Sequence, residues 1–141
     1  MRARTPLTAC AGRPTLKAWA AGWGLSLVIL TPALAQTGSV TNGKLIFESR
    51  CGACHSLKAS RVGPPLGGVV GRVAGKAPDY SYSKALGAAS HVWGRDKLLE
   101  WLGNPEAVVP GQVMGYSVET LQDRLDVVAY LESLSNVDAT K

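Results

Sequence analysis

Two cysteines and a histidine stand close together in the stretch RCGACHSLK, residues 50–58. Cys51 and Cys54 are three positions apart, and His55 follows the second thiol directly. Sulfur and imidazole donors at this spacing are compatible with three kinds of chemistry: a disulfide or redox dithiol, a zinc site, or the covalent attachment of a haem c.

The surrounding sequence disfavours the dithiol and zinc interpretations. A structural zinc ion takes four ligands, and beyond these three groups residues 36–141 offer only His91 and carboxylates. A thioredoxin-like dithiol belongs at a helix N-terminus in a βαβ pattern, which the sequence does not show. Cys-x-x-Cys-His is therefore interpreted as a c-type haem attachment site, in which Cys51 and Cys54 form thioethers and His55 ligates the iron.

The iron of such a haem needs a sixth ligand, and Met114 is the only methionine after Met1. It lies in the turn-rich segment VVPGQVMGYS, between two predicted helices. We predict that its thioether ligates the iron. If Met114 were only an apolar loop residue, the iron would be open, and a haem gas sensor or small peroxidase would be the alternative.

The first 35 residues have the pattern of a cleavable secretory signal peptide. Residues 2–17 carry four basic and no acidic side chains, and the apolar run AWAAGWGLSLVILTPALA then ends in a small-x-small cleavage pattern. A retained membrane anchor is the alternative, which Gly22, Gly24 and Pro32 weaken. Lipidation at Cys10 is rejected because this cysteine precedes the apolar run. We therefore predict export of residues 36–141 to a bacterial periplasm.

Loss of the leader removes most of the positive charge. Residues 36–141 contain eleven basic and ten acidic side chains, against fifteen and ten in the whole chain. So balanced a charge gives no reason to expect a nucleic-acid partner.

Hydrophobic periodicity predicts three helices and no strands, within a single domain of residues 36–141. The first covers about residues 40–57 with Thr41 or Asn42 as N-cap, and the second begins near Asp96 and ends at Gly103. The third covers about residues 118–134, with one apolar stripe formed by Leu121, Leu125, Val128 and Leu131. Residues 58–93 show no sustained period, and a loop this long suits a compact domain when it wraps a large apolar cofactor.

Seven motifs in order resemble the class I cytochromes c, most closely the mitochondrial-type and related bacterial periplasmic members. They are GKLIF, CGACH, GPPLGGVVGR, APDYSYSKAL, a tryptophan ahead of a helix, NPEAVVPGQVMGY and RLDVVAYL. The resemblance covers about residues 38–134. It implies an all-α class I cytochrome c fold of three to five helices, with long loops around one covalently bound haem c.

The resemblance also implies particular roles for residues outside the attachment motif. Gly43 and Phe47 would pack the first helix across the last one at Tyr130 and Val127. The carbonyl of Pro64 would accept from the second nitrogen of His55 and fix its ring. Three further residues fall where the family hydrogen-bonds the haem propionates: Arg72, Tyr82 and Trp93.

Several positions depart from the mitochondrial pattern, among them Trp101 in place of a tyrosine near the methionine sulfur and Gln112 in place of a threonine. Lysines are mostly missing around the expected haem edge, where only Arg50, Lys58 and Arg61 stand near the motif. The Met114 side instead has the apolar residues Ala107, Val108, Val109 and Val113. We therefore predict a docking face that is more apolar and less salt-sensitive than that of the mitochondrial protein.

The predicted function is that of a one-electron carrier between membrane or periplasmic redox partner proteins, because two axial ligands leave the iron no open position for a substrate. The protein is expected to be a monomer with no catalytic residue and no small-molecule substrate. A dedicated cytochrome subunit of a larger oxidoreductase is a second alternative. His91 is predicted to be a surface histidine rather than an iron ligand.

Overall fold

The computed structural model describes residues 37–138, which form five α-helices; long connections join them, except for α3 and α4, which only Asn104 separates. These are α1 (Val40–Ile46), which continues as a π-helical segment (Phe47–Cys51), α2 (Lys84–Ala88), α3 (Arg95–Gly103), α4 (Pro105–Val108) and α5 (Leu121–Asp138). Within that range the β pairing is limited to one antiparallel bridge between Val73 and Val92. The predicted all-α fold is confirmed.

The first helix begins at Val40, as predicted, but its N-cap and its end differ from the prediction. Its N-cap is Ser39, whose hydroxyl accepts from the Asn42 N–H at 3.3 Å, so neither Thr41 nor Asn42 has that role. Helical structure ends at Cys51, where the last turn is π-helical and the Gly52 N–H donates to the Phe47 carbonyl at 2.8 Å. Cys54 and His55 therefore lie in the turn that follows the helix.

Helices α1 and α5 cross in close contact at Gly43. A β-carbon at this position would lie 1.9 Å from the Asp126 carbonyl oxygen and 2.9 Å from the β-carbon of Tyr130. One turn later the rings of Phe47 and Tyr130 pack with centroids 5.5 Å apart, and Val127 is buried beside them. The predicted packing of Gly43 and Phe47 on the last helix is confirmed.

A buried carboxylate fixes the start of α1 to α5. Asp126 is only 3% exposed, and its Oδ1 atom accepts from the Ser39 N–H at 2.7 Å and from Gln122 Nε2 at 2.8 Å. A buried carboxylate without such donors would be costly, so these two hydrogen bonds make the position of Ser39 relative to α5 specific.

The connection between residues 58 and 93 contains more structure than its composition predicts. Helix α2 forms within it, capped by Ser83, whose hydroxyl accepts from the Leu86 N–H at 3.2 Å. Backbone bonds join the two ends of this connection, with the Trp93 N–H donating to the Arg72 carbonyl and the Gly71 N–H to the Trp93 carbonyl, both at 2.9 Å. The connection is thus a folded loop with fixed ends.

Asn104 and Pro105 end α3 at Gly103, as predicted, and they also start α4, which was not predicted from the sequence. Asn104 Oδ1 accepts from the Ala107 N–H at 3.1 Å, and Pro105 occupies the first turn, where its missing N–H costs nothing. Similarly, α5 starts at Leu121 rather than near Val118, and the Thr120 hydroxyl accepts from the Asp123 N–H at 3.1 Å.

The apolar stripe predicted on the last helix is only partly right. Leu121 is 46% exposed, whereas Leu125, Val128 and Leu131 are buried. Val118 is 1% exposed although it precedes the helix, and its N–H donates to the Leu102 carbonyl at 2.7 Å. The core thus receives a side chain from the connection as well as from α5.

No helix within residues 37–138 combines the length and the apolarity that crossing a bilayer requires. The predicted signal peptide, residues 1–35, lies outside the described residues.

Candidate functional site

A cavity of about 460 Å³ lies between the attachment motif, the loop of residues 62–93, and helices α3 and α5. All eight residues predicted to hold a haem or its iron line this one cavity: Cys51, Cys54, His55, Pro64, Arg72, Tyr82, Trp93 and Met114. Their common location is an observation, and their individual roles remain predictions. A second, open groove across α3, α4 and the start of α5 contains none of them.

The turn after the π-helical segment brings both thiols to the cavity wall. The N–H groups of Cys54 and His55 both donate to the Cys51 carbonyl, at 3.1 and 2.9 Å. Cys51 is half-buried and Cys54 is exposed. Burial raises the pKa of the Cys51 thiol, while the neighbouring Arg50 acts in the opposite direction. The two sulfurs thus reach the cavity in different environments.

The imidazole of His55 is fixed from two sides. Its Nδ1 atom lies 2.8 Å from the Pro64 carbonyl, which accepts only, so Nδ1 carries a proton, and in the neutral ring Nε2 then keeps its lone pair. Gly63 packs flat against the ring, since a β-carbon there would lie 2.2 Å from His55 Cε1. A neutral imidazole with one nitrogen tied to a carbonyl is the form in which histidine ligates metals.

Arg72 faces the cavity but is also bonded to the loop behind it. One terminal nitrogen donates to the Pro65 carbonyl at 2.7 Å and the other to the Gly67 carbonyl at 3.4 Å. Partial burial lowers its pKa. Arg72 therefore braces the segment that includes Pro64, and so contributes to the position of His55.

Tyr82 and Trp93 line the cavity, and each has a polar hydrogen that could be donated to a ligand, the Tyr82 O–H and the Trp93 indole N–H. The Tyr82 hydroxyl accepts from the Ala77 N–H at 3.2 Å, which leaves its own proton free to be donated. The Trp93 ring is buried and packs edge-on against Trp101, with centroids 5.2 Å apart. Among the described residues, no protein acceptor is bonded to the indole N–H of Trp93, to that of Trp101 or to the Tyr82 O–H.

His91 differs from its prediction as a surface histidine. The side chain is partly buried, its ring packs edge-on against Trp93 with centroids 4.4 Å apart, and its Nε2 atom is buried without a partner among the described residues. Burial, and to a lesser extent Lys97, lower the pKa of His91. His91 is not among the residues that line the cavity.

Met114 reaches the cavity from the connection between α4 and α5, where it is partly buried against the core. Sequence reasoning missed most of the apolar lining around it, which comes from α3 and α5: Leu98, Leu102, Val127 and Leu131. Leu131 was predicted on the apolar stripe of the last helix and Val127 through the family resemblance, both as packing residues, and only the crossing of the helices shows that one side of the core is open to a ligand.

These residues fit a haem. Two thiols on one turn, an imidazole with a free Nε2, a thioether and a predominantly apolar wall are the donors and surroundings that a c-type haem takes. Within residues 37–138, no three His, Cys, Asp or Glu side chains are grouped as they would be around a metal ion. Fold and cavity together define an all-α protein built around a covalently held haem.

Comparisons with known proteins give the same class. The family model described as cytochrome c matches residues 40–135. The chain is 41% identical over 102 residues to a cytochrome c of Euglena viridis, covering 70% of this chain and 100% of that protein. It is 42% identical over 103 residues to a cytochrome c2 of Rhodopila globiformis, covering 71% and 97% of the two chains.

A solved structure, that of cytochrome cH from Methylobacterium extorquens, is similar as well. The TM-score is 0.65 at 36% sequence identity, over 68% of this chain and 99% of that one. The chain belongs to the cytochrome c family, as a class I cytochrome c. Its members are haem-based electron carriers, and the protein binds one haem c through cysteine thioethers, for which Cys51 and Cys54 are present.

Proposed function

We propose that the protein is a periplasmic one-electron carrier, with His55 and Met114 as the two axial ligands of its haem iron. The observation that carries the proposal is that the free Nε2 of His55 and the thioether of Met114 belong to the lining of the same cavity. The Pro64 carbonyl holds His55, and the connection between α4 and α5 holds Met114, so each ligand has its own support.

The haem iron supplies a couple that gains and loses one electron, and a thioether ligand favours the ferrous form relative to a second imidazole. The protein's own residues exclude water and keep the ligands in place. Leu98, Trp101 and Val127 form buried apolar wall, and the Pro64 carbonyl keeps the His55 proton on Nδ1. No residue is assigned a catalytic role.

We assign Arg72, Tyr82 and Trp93 to the haem propionates. Support comes from their donors, since Tyr82 O–H and Trp93 N–H have no protein acceptor among the described residues and both side chains line the cavity. Arg72 is a cation whose position is fixed by its two terminal nitrogens, which donate to the Pro65 and Gly67 carbonyls. Carboxylates are the acceptors that such a group of donors favours.

Replacement of Met114 by alanine tests the ligand assignment. The exported holoprotein is expected to have the mass of a polypeptide that starts at Gln36. In the ferric state the variant should lose its sulfur-to-iron charge-transfer absorption. In the ferrous state it should bind carbon monoxide almost stoichiometrically, because the sixth position is then open. The measurement is an absorption spectrum of both states with and without the gas.

Val113→Ala is the matched control, since it shortens the neighbouring, 75% exposed side chain and leaves the thioether. It should retain the absorption and resist carbon monoxide. Wild-type protein that lacks the absorption and binds the gas as readily as Met114→Ala would move the protein to the sensor or peroxidase class.

The partners are proposed to be redox proteins that dock on an apolar rim, defined here as Val62, Val113 and Tyr116. These side chains line the cavity and are 75%, 75% and 44% exposed. The predicted docking face is corrected in part, because Val109 is buried in the core and Val108 is half-buried. The rim is therefore smaller than the sequence indicated, and Val62 and Tyr116 were not foreseen as part of it.

Basic groups next to the rim are largely engaged within the protein. Arg50 is paired with Asp123 at 2.8 Å, and Arg61 donates to the Gly52 carbonyl at 2.8 Å. No lysine belongs to the described lining of the cavity. An apolar rim of this kind also suits a permanent partner, and co-purification of native protein would distinguish a subunit of a larger complex from a free, monomeric carrier.

A weak salt dependence of electron transfer is the expected consequence. The rate constant for electron transfer between the ferrous protein and its redox partner protein should change less than about twofold between about 10 and 150 mM salt, a range over which the Debye length falls from about 30 to 8 Å. Val113→Lys should make the dependence steeper by adding an unpaired cation at the rim. A decline of tenfold or more in the wild-type protein, on the order expected for a strongly charged docking face, would contradict the proposal.

A further inference from the structure

Glu106 and Gln112 connect the backbone of Met114 to helix α4. The Met114 N–H donates to Gln112 Oε1, and Gln112 Nε2 in turn lies 3.4 Å from Glu106 Oε2. The other carboxylate oxygen of Glu106 accepts from the Gly111 N–H at 2.8 Å. The Glu106 carboxylate therefore accepts from the loop backbone, at Gly111, and from the side chain of Gln112, which holds Met114.

The helix that supplies Glu106 is itself fixed. Its N-cap is made by Asn104, Pro105 is buried, and the Val109 N–H donates to the Pro105 carbonyl at 3.0 Å. Val109 is buried in the core immediately after the helix. A short helix anchored at both ends is a firm support for an exposed side chain such as Glu106.

The segment after Met114 has few other constraints. Among the described residues, the backbone N–H groups of Gly115, Tyr116 and Ser117 donate to no protein acceptor, and the next anchor is the Val118 N–H on Leu102. The bond from Gln112 is also the only described hydrogen bond of the Met114 backbone. The Gln112 N–H is held by the Val109 carbonyl at 3.1 Å, so loss of the bond to Met114 would free the loop from Val113 to Ser117.

We propose that Glu106 and Gln112 are positioning residues for the Met114 ligand, which rests on the proposed ligation of the iron by Met114. Neither side chain lines the cavity, so they act through the loop backbone. Both are on or near the surface, where water competes for their hydrogen bonds. Their contribution therefore lies in the closing of the ligand loop rather than in the stability of the whole domain.

Displacement of Met114 from the ferric holoprotein by added imidazole measures this closing directly. Only the state with Met114 detached binds imidazole, so a larger detached population lowers the half-saturating concentration in proportion. Gln112→Ala is expected to lower it about three- to tenfold, the range that one lost hydrogen bond supports. Glu106→Ala should have an effect in the same direction, because Gln112 and Gly111 lose their common acceptor.

Two conservative variants separate this role from a general loss of structure. Gln112→Asn should restore most of the wild-type value, because an asparagine oxygen commonly accepts from the N–H two residues later. Glu106→Gln keeps an acceptor for Gly111 but replaces the oxygen that accepts from Gln112, so its half-saturating concentration should fall between those of the wild type and Glu106→Ala. Glu119→Ala is the matched control for loss of an exposed acid on the same connection.

The sulfur-to-iron absorption and the thermal unfolding midpoint are measured on the same samples. The positioning role would be overturned by equal half-saturating imidazole concentrations for the three variants Gln112→Ala, Glu106→Ala and Glu119→Ala. The ligation by Met114 would not be affected by that result, because the Met114→Ala spectra test it separately. Absence of the absorption in wild type, with Met114→Ala titrating identically, would overturn the ligation and the positioning role together. A thermal unfolding midpoint that falls in parallel with the half-saturating imidazole concentration would overturn a specific role for Glu106 and Gln112, because the variants would then have lost structure in general.

Discussion

Gly63→Ala is expected to push the His55 ring off its hydrogen bond and, with His55 as the proposed axial ligand, to open the iron on that side. A β-carbon at Gly63 would lie 2.2 Å from His55 Cε1 and 2.6 Å from Nδ1, well inside van der Waals contact. Either the backbone or the ring must move. Since the ring is the terminus of a side chain, it is the part that can move.

The backbone at Gly63 is held on both sides. Its N–H donates to the Cys54 carbonyl and its carbonyl accepts from the Arg61 N–H, both at 2.9 Å. The following residue is Pro64, which restricts the conformation of the residue before it. The added methyl group therefore displaces the imidazole away from the Pro64 carbonyl.

Overpacking of this kind costs about 1–3 kcal/mol, so the population with a displaced ring should rise by about fivefold to about 150-fold. The ferric holoprotein is expected to lose part of its low-spin electron paramagnetic resonance signal, and the ferrous protein should gain carbon monoxide binding. Gly94→Ala is the control, because a β-carbon at Gly94 meets nothing within 4 Å. Identical spectra for the two variants would show that Gly63 does not support His55.

The residues proposed to carry the chemistry could be named from the sequence because their types are rare and their spacing is local. Two thiols and an imidazole in five positions, and a single methionine after Met1, needed no knowledge of the fold. Trp93, Arg72, Tyr82 and Pro64 were reached only through resemblance to a family. Their placement on one cavity follows from the folded loop of residues 58–93, which composition alone does not describe.

What the sequence did not predict depends on contacts between distant segments. Helix α2 has only five residues, too few to be stable by propensity, and Ala85 and Leu86 are packed against the core instead. Leu121 matches the helical period of α5 but lies at its exposed first residue, while Val118 is buried from outside the helix. Periodicity identifies a helix but does not locate its ends.

Gly43→Ala is expected to destabilise the holoprotein by about 3 kcal/mol, although alanine is the better helix former. Helix propensity alone would make this substitution stabilising by about 1 kcal/mol. The difference in sign comes from the crossing of α1 and α5, where the new methyl group would lie 1.9 Å from the Asp126 carbonyl oxygen and 2.5 Å from its carbon. These are backbone atoms of a long helix and no rotamer change removes them.

The helices can accept the methyl group only by moving apart, and that separation would also loosen the Phe47–Tyr130 contact and the bond from Ser39 to Asp126. Gly87→Ala in α2 is the matched control, because its β-carbon would meet only Tyr82 at an ordinary 3.7 Å. Guanidinium unfolding of the two holoproteins should therefore give changes of opposite sign, a loss for Gly43→Ala and a small gain for Gly87→Ala. A gain in unfolding free energy at both positions would mean that helix propensity outweighs the packing of α1 on α5. The two helices would then be free to separate, although Phe47, directly after α1, and Val127 of α5 both line the haem cavity.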